Sequence, residues 1–281
     1  MERIAIIASF KDPAGINIRN NLLELFDFEK IDEKFDNNEI FEYNRIPNKN
    51  IKLYLMNDEL VYSEHIDKKI DADFLIFASK HRSRENKPSF AVHAIGNWGI
   101  ANLCGKDKKL CPSSAVLLKN FFMELNENAK ETNFEVTLEA THHGPYVEKP
   151  SVFVEIGSTE KEWNDNTNWE IIAKTIMNGI KNENKNYKLA VGIGGPHYPV
   201  NFNKIALRTD IALSHICPKY ALQNLNEGAI SQAIQKTKEK VDFMLLDWKG
   251  LGTEKQRIVE ILKNLGMEIR RTDKINYTRS V

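Results

Sequence analysis

The residues best suited to chemistry near neutral pH in this sequence are its seven histidines, four of which directly follow short apolar runs. His81 lies in Ser79-Lys80-His81-Arg82-Ser83. His142 and His143 lie in Thr141-His142-His143-Gly144-Pro145, and His197 in Gly192-Ile193-Gly194-Gly195-Pro196-His197-Tyr198-Pro199. His93 precedes the turn-rich Ile95-Gly96-Asn97-Trp98-Gly99. Two acids, Glu139 and Glu155, sit near the ends of neighbouring apolar runs. Imidazoles and carboxylates together are the donor set of a catalytic zinc site, and either type can act as a general base. His81, His93, His142, His197 and Glu139 are therefore candidate metal ligands, and His142, His143 and Glu155 candidate catalytic groups. Adjacent side chains of an extended segment point apart, so one of His142 and His143 faces a cleft while the other orients a neighbour. Gly194 and Gly195 would offer backbone N–H groups to an anion, including the oxyanion of an acyl transfer. The spacing of that loop is not a dinucleotide fingerprint, because a third glycine and a following acid are missing. His65, in a helical stretch, and His215, in an apolar stretch ending at Cys217-Pro218, read as packing residues.

These groups need a scaffold. The runs Ile4–Ala8, Ile51–Leu55, Phe74–Ala78, Phe134–Leu138, Val152–Ile156, Leu189–Ile193 and Phe243–Leu246 are short and rich in β-branched residues. Several lack polar alternation, which suits strands covered on both faces. Helical spacing appears over Ile16–Phe26, Ser114–Leu125, Asn168–Ile180, Glu227–Lys238 and Thr253–Leu265, with Ser113 or Ser114 as an N-cap and Gly266 as a C-cap. Such alternation predicts an α/β fold with helices on both faces of a sheet. Ligands of such folds bind beyond the carboxyl ends of the strands, so four histidines would converge on one rim. The polar stretch Asp36–Asn50 reads as a loop or irregular edge. The whole chain, 1–281, reads as one α/β unit, with 1–70 a candidate subdomain.

The charge balance, 39 Lys+Arg against 39 Asp+Glu, excludes a blanket polyanion binder but not a local basic surface. The loop after Phe74–Ala78 carries Lys80, Arg82, Arg84 and Lys87 against Glu85, a local net charge of +3. Such a loop can grip phosphates. The segment Arg270–Arg279 is also basic and offers Tyr277 for stacking on an unpaired base. No apolar run reaches membrane-spanning length, and the N-terminal run is too short for a signal peptide and reads as a buried strand. The three cysteines are sparse and unpaired in spacing, as expected of free thiols in a reducing cytoplasm.

Taken in order, Ser79-x-His81-x-Ser83, Pro88, His93-x-x-Gly96-Asn97, Thr141-His142-His143-Gly144-Pro145, Glu155-Ile156-Gly157-Ser158-Thr159 with Trp163, and Gly194-Gly195-x-His197-Tyr198 resemble the D-aminoacyl-tRNA deacylases of the archaeal and plant type. The resemblance runs nearly the whole chain. It departs after Tyr198, where Pro199-Val200 replaces basic flanking residues. It implies a three-layer α/β/α fold with a mixed central sheet, like that of phosphorylases and related hydrolases. It also implies two zinc ions (Zn2+) per subunit and hydrolysis of the ester between a D-amino acid and the tRNA acceptor end. A cytoplasmic monomer with no membrane partner fits this reading, with Lys80, Arg82, Arg84 and Lys87 as the tRNA contacts. Two other functions use the same residues: a zinc peptidase or amidohydrolase acting on small substrates, and a non-catalytic tRNA-binding protein.

Overall fold

The computed structural model describes residues 1–83, 86–182 and 186–277. The chain begins β1 (Glu2–Ser9), α1 (Pro13–Leu25), β2 (Glu29–Phe35), β3 (Asn38–Tyr43), β4 (Lys49–Met56), β5 (Phe74–Lys80) and β6 (Ser89–His93). It continues α2 (Ala115–Asn128), β7 (Glu135–Leu138), β8 (Ser151–Gly157), α3 (Glu160–Trp163), α4 (Asn166–Lys181) and β9 (Lys188–Ile193). It ends with α5 (Val200–Arg208), β10 (Ile211–Cys217), α6 (Glu227–Gln235), β11 (Phe243–Leu246), α7 (Lys255–Asn264) and β12 (Ile269–Arg271). None of these helices is long and apolar enough to cross a membrane.

The expected mixed α/β sheet flanked by helices is present: eight strands in the order β2-β3-β4-β1-β5-β8-β6-β7. β1 lies at its centre, parallel to both β4 and β5. A second sheet, all parallel in the order β10-β9-β11-β12, was not anticipated from the sequence. Short apolar strands show that they are buried but not which partners they choose. One face of the large sheet carries Ile4, Ile6, Phe74, Ile76, Val152 and Val154. It packs on α1, α2 and α4, and α2 also touches β9 and β10, so helices lie between the sheets. The other face carries Ile7, Leu75, Phe77 and Phe153, covered by Leu60, Ile66, Tyr146 and Val147 from connecting segments.

Of the two expectations for Asp36–Asn50, a loop or an irregular edge, the loop is corrected: β3 falls inside the stretch and lies near the sheet edge. Asp36 and Asn37 both have positive φ, 50° and 65°, as a two-residue hairpin turn requires, and they join β2 to β3. The hairpin's polarity reflects its place at the sheet edge, where charged residues discourage pairing with other chains.

Lys119 of α2 is almost fully buried, at 1% exposure. Its ammonium donates to the carbonyls of Ala206, Thr209 and Ile211, closing the end of α5 where carbonyls lack helical partners. Lys119→Met leaves those carbonyls without their donor and is expected to cost about 3 kcal/mol. A urea unfolding curve checks this: the midpoint falls while the slope is unchanged.

Candidate functional site

Seven ionisable side chains meet against β8. Glu155 is on β8 itself, next to Ser79 of β5 and Ala91 of β6. His81 directly follows β5, His93 closes β6, and Glu139, His142 and His143 follow β7. His197 arrives from the second sheet, beyond β9. The cluster does not ring a single rim as expected. β6 runs antiparallel to β8, so His93 pairs with Phe153 and the group spreads along the strand's face. Phe153 stacks between His93 (5.3 Å) and Phe77 (4.8 Å), an apolar floor for the polar cluster.

The local sequence explains the placement. The Gly96 N–H donates to His143 O, and Ile95 bridges His142, which braces the two imidazoles from β6's continuation. The second sheet holds the same loop, since Ala140 N–H donates to His197 O and Thr141 N–H to Ile216 O. A Cβ at Gly157 would lie 2.7 Å from His81 Cδ2, so only glycine lets His81 settle there. Thr159 and Glu162 form a reciprocal cap of α3. That short helix carries Trp163, whose indole N–H donates to His81 O. Lys80 and Arg82 lie over the same indole at 5.8 and 5.3 Å.

Each imidazole turns one nitrogen inward and anchors the other. Nδ1 of His93, His142 and His143 contacts the carbonyl of Ala94, Ala140 and Gly144 respectively. A carbonyl can only accept, so these Nδ1 atoms carry a proton, and in the neutral rings of His142 and His143 Nε2 keeps the lone pair. His197 Nδ1 meets the Tyr220 hydroxyl at 3.1 Å, and His81 Nε2 meets the Tyr198 hydroxyl at 3.0 Å. Facing inward, Glu139 Oε1 is 3.3 Å from His81 Nδ1, while its Oε2 is 3.3 Å from His197 Nε2 and 3.5 Å from His142 Nε2. Glu155 Oε2 lies 3.4 Å from His81 Nδ1 and 3.5 Å from His93 Nε2.

Burial and mutual repulsion hold His142 well below the usual imidazole range, and burial beside His93 pushes His143 down to about 4. Burial alone would lower His81 too, but the contact with Glu155 and the charge of Glu139 outweigh it and raise His81 to about 9. Burial opposes ionisation of Glu139 and Glu155, and the surrounding imidazoles reverse this and hold both below the carboxylate range.

The donor set fits a metal. Both Glu139 oxygens and His93 Nε2 are buried without a hydrogen-bond partner. Buried polar atoms left this way are rare unless an ion or water completes them. Three groups have ligand atoms within 4.8 Å of one another: His93-His142-His143, Glu139-His142-His197 and His81-Glu139-Glu155.

Not every expected residue joins the cluster. The Gly194 N–H is committed to Cys217 O, and a Cβ on Gly194 or Gly195 would meet Asp247. Among the described residues neither glycine lines the cleft, so the structure does not bring the expected backbone cradle up to it. Lys80 and Arg82 line the cleft, Lys87 faces a separate small hollow, and Arg84 lies outside the described residues. Of the basic tail, residues 278–281 also lie outside them.

Two contributors, Tyr220 and Asp12, escaped the sequence reading. Tyr220 holds His197, and its only signal was a tyrosine near Cys217-Pro218. Asp12 accepts from Gly15 N–H, Lys80 N–H and the Ser79 hydroxyl, pinning the start of the His81 loop. Its signal was the helix start Asp12-Pro13. Burial raises its pKa. His215, expected to be a packed core residue, is fully buried beneath the cluster with Nδ1 3.3 Å from Thr141 Oγ1.

Burial lowers the His215 pKa to about 4. An unfolded histidine titrates near 6.5, so the folded state resists a proton that the unfolded state accepts. The stability that neutral His215 contributes is complete above about pH 6.5 and is lost as pH falls towards about 4, a change of about 3 kcal/mol. Urea midpoints measured from pH 7 to pH 4 check this, with His215→Gln expected to flatten the fall.

The family model described as D-aminoacyl-tRNA deacylase matches residues 68–270, well over half of the chain. A D-aminoacyl-tRNA deacylase of Pyrococcus furiosus is 38% identical over 265 residues, covering 92% of this chain and 95% of the relative. One of Methanocaldococcus jannaschii is 38% identical over 280 residues, covering 95% and 98%. A crystal structure described as a conserved protein of unknown function superposes with a TM-score of 0.89 at 32% identity, covering 99% of each chain. The chain belongs to the D-aminoacyl-tRNA deacylase family.

Proposed function

We propose that the chain hydrolyses the ester joining a D-amino acid to the acceptor end of tRNA, releasing both, and that it does so with zinc. The observation that carries the reading is Glu139: a buried carboxylate with two unsatisfied oxygens among imidazoles, in a chain of this family. Two of the three ligand groups, His93-His142-His143 and His81-Glu139-Glu155, share no residue, which gives donors for two ions. Zinc bound there supplies Lewis acidity toward the ester carbonyl and toward water.

The protein's own groups do the rest. His142 and His143 stay neutral near pH 7, because their folded-state proton affinity is low. The carbonyls of Ala140 and Gly144 fix their tautomers, so each Nε2 is ready as a ligand or base. Glu155 reaches both His81 and His93 and, staying ionised, orients both rings and favours their protonated forms. The Tyr198 hydroxyl, on the wall of the cleft, is a donor for charge developing on the carbonyl oxygen, in place of the glycine loop. Lys80 and Arg82 would pair with acceptor-end phosphates in a cleft of about 750 Å³. The substrate and the free thiols of Cys104, Cys111 and Cys217 fit action in the cytoplasm.

The test is incubation of zinc-loaded protein with D-tyrosyl-tRNA and L-tyrosyl-tRNA. Release of D-tyrosine with the L-ester intact is expected, and an intact D-ester refutes the reading. Affinity for the tRNA should fall steeply with salt, as phosphate contacts require. A small-substrate peptidase would show no such slope.

A further inference from the structure

Two hollows of different chemistry share one wall. The first is the cleft that holds Lys80 and Arg82; the second, of about 450 Å³, lies on the far side of His142, His143 and Leu103, which line both. The wall is fixed, since Gly144 N–H donates to Leu103 O. Among the described residues the second hollow has no Lys, Arg, Asp or Glu on its lining. Trp98, Ile100, Leu103 and Tyr220 give it apolar surface, while Asn102, Gln223 and Asn224 give it neutral amides. Ile100, Leu103 and Tyr220 are among the large hydrophobics that the protein leaves exposed, at 73%, 46% and 61%. Apolar surface gathered beside a reactive cluster marks a place where a ligand covers it.

We propose that this second hollow receives the amino-acid side chain of the substrate, while the RNA end occupies the cleft with Lys80 and Arg82. The inference rests on the deacylase reading above and adds the division of the substrate across the shared wall. Phosphates need cations, and only the first cleft supplies them. A side chain of any size or polarity needs room, apolar walls and neutral hydrogen-bonding groups, which the second supplies. Amides can donate or accept, so Asn102, Gln223 and Asn224 suit polar side chains without rejecting apolar ones. A pocket of this kind would accept side chains of different size and polarity. The ester carbonyl, which joins the two parts of the substrate, then falls at the His142-His143 wall beside the metal ligands.

Filling the hollow tests the division. Gln223 and Ile100 are exposed, so Gln223→Trp and Ile100→Trp narrow the space without disturbing the core. The measurement is kcat/KM on D-tyrosyl-tRNA and on D-alanyl-tRNA, with urea midpoint and zinc content as folding checks. The ratio of D-tyrosyl to D-alanyl activity is expected to fall about tenfold or more in both variants, as a pocket that has lost room discriminates by size. The salt dependence of KM is expected to stay unchanged. Conversely, Lys80→Ala with Arg82→Ala should raise KM for both substrates alike and flatten the salt slope. An equal fall for both substrates in the tryptophan variants, or a flattened salt slope, overturns the inference and places RNA in the second hollow. Release of D-tyrosine by the unaltered chain tests the deacylase reading separately, and its absence overturns both.

Discussion

Glu139→Gln is expected to lower deacylation by roughly 10²- to 10⁴-fold, the scale set by loss of a group acting on a proton or metal in the transition state. The carboxylate faces His81, His142 and His197 at 3.3 to 3.5 Å, and it belongs to two of the three ligand groups. The amide keeps the shape but offers one neutral oxygen and an NH2 where two anionic oxygens stood. Its NH2 would donate to the inward Nε2 lone pair of His142 and so occupy an atom a metal would need. Zinc content and single-turnover deacylation should therefore fall together while circular dichroism is unchanged. Full metal content with full activity would reduce Glu139 to a packing residue. Tyr220→Phe provides a graded comparison: it removes only the hydroxyl at His197 Nδ1 and should cost about tenfold, as loss of a ligand's outer partner does.

Removal of zinc is expected to have the second large effect, on stability as well as activity. Five imidazoles and two carboxylates crowd together, with His93 Nε2 and both Glu139 oxygens unsatisfied. Unsatisfied buried polar atoms favour the unfolded state, where water reaches them. A metal bound only by the folded state adds about 4 kcal/mol at a thousandfold excess over its dissociation constant. For a chain of this size, chelation should lower the thermal midpoint by roughly 10 °C, and added zinc should restore it. Calorimetry with and without chelator measures this directly. An unchanged midpoint together with unchanged deacylation would mean that the imidazoles act without metal.

Much of the scaffold was readable from local pattern. The run Phe243–Leu246 is β11 to the residue, Ser114 caps α2 through Leu117 N–H, and Gly266 follows α7 with φ of 65°. Partner choice was not readable. β6 was missed because Ser89–His93 is short and follows a charged loop, and without it His93 had no strand to close. The antiparallel run of β6 against β8 is a long-range pairing, and it moved the cluster from a rim to a face. At the site, residue type was enough to name the five clustered imidazoles and the two acids. The role of the glycine loop was not readable either, because glycine permits close approach to any neighbour, and here that neighbour is Asp247.

The bracing of the 139–143 loop by His197 O and Ile216 O also orders events during synthesis. A ribosome releases the large sheet's strands, and with them six of the seven clustered side chains, before it has made β9 and β10. Domains fold as they emerge, so the nascent chain passes through a stage with most ligands in reach and their clamp still absent. Metal captured then would meet a loop free to splay. On the proposed metal reading, high-affinity capture would be a late event in the protein's biogenesis, and chains that stop short of β10 should emerge metal-poor.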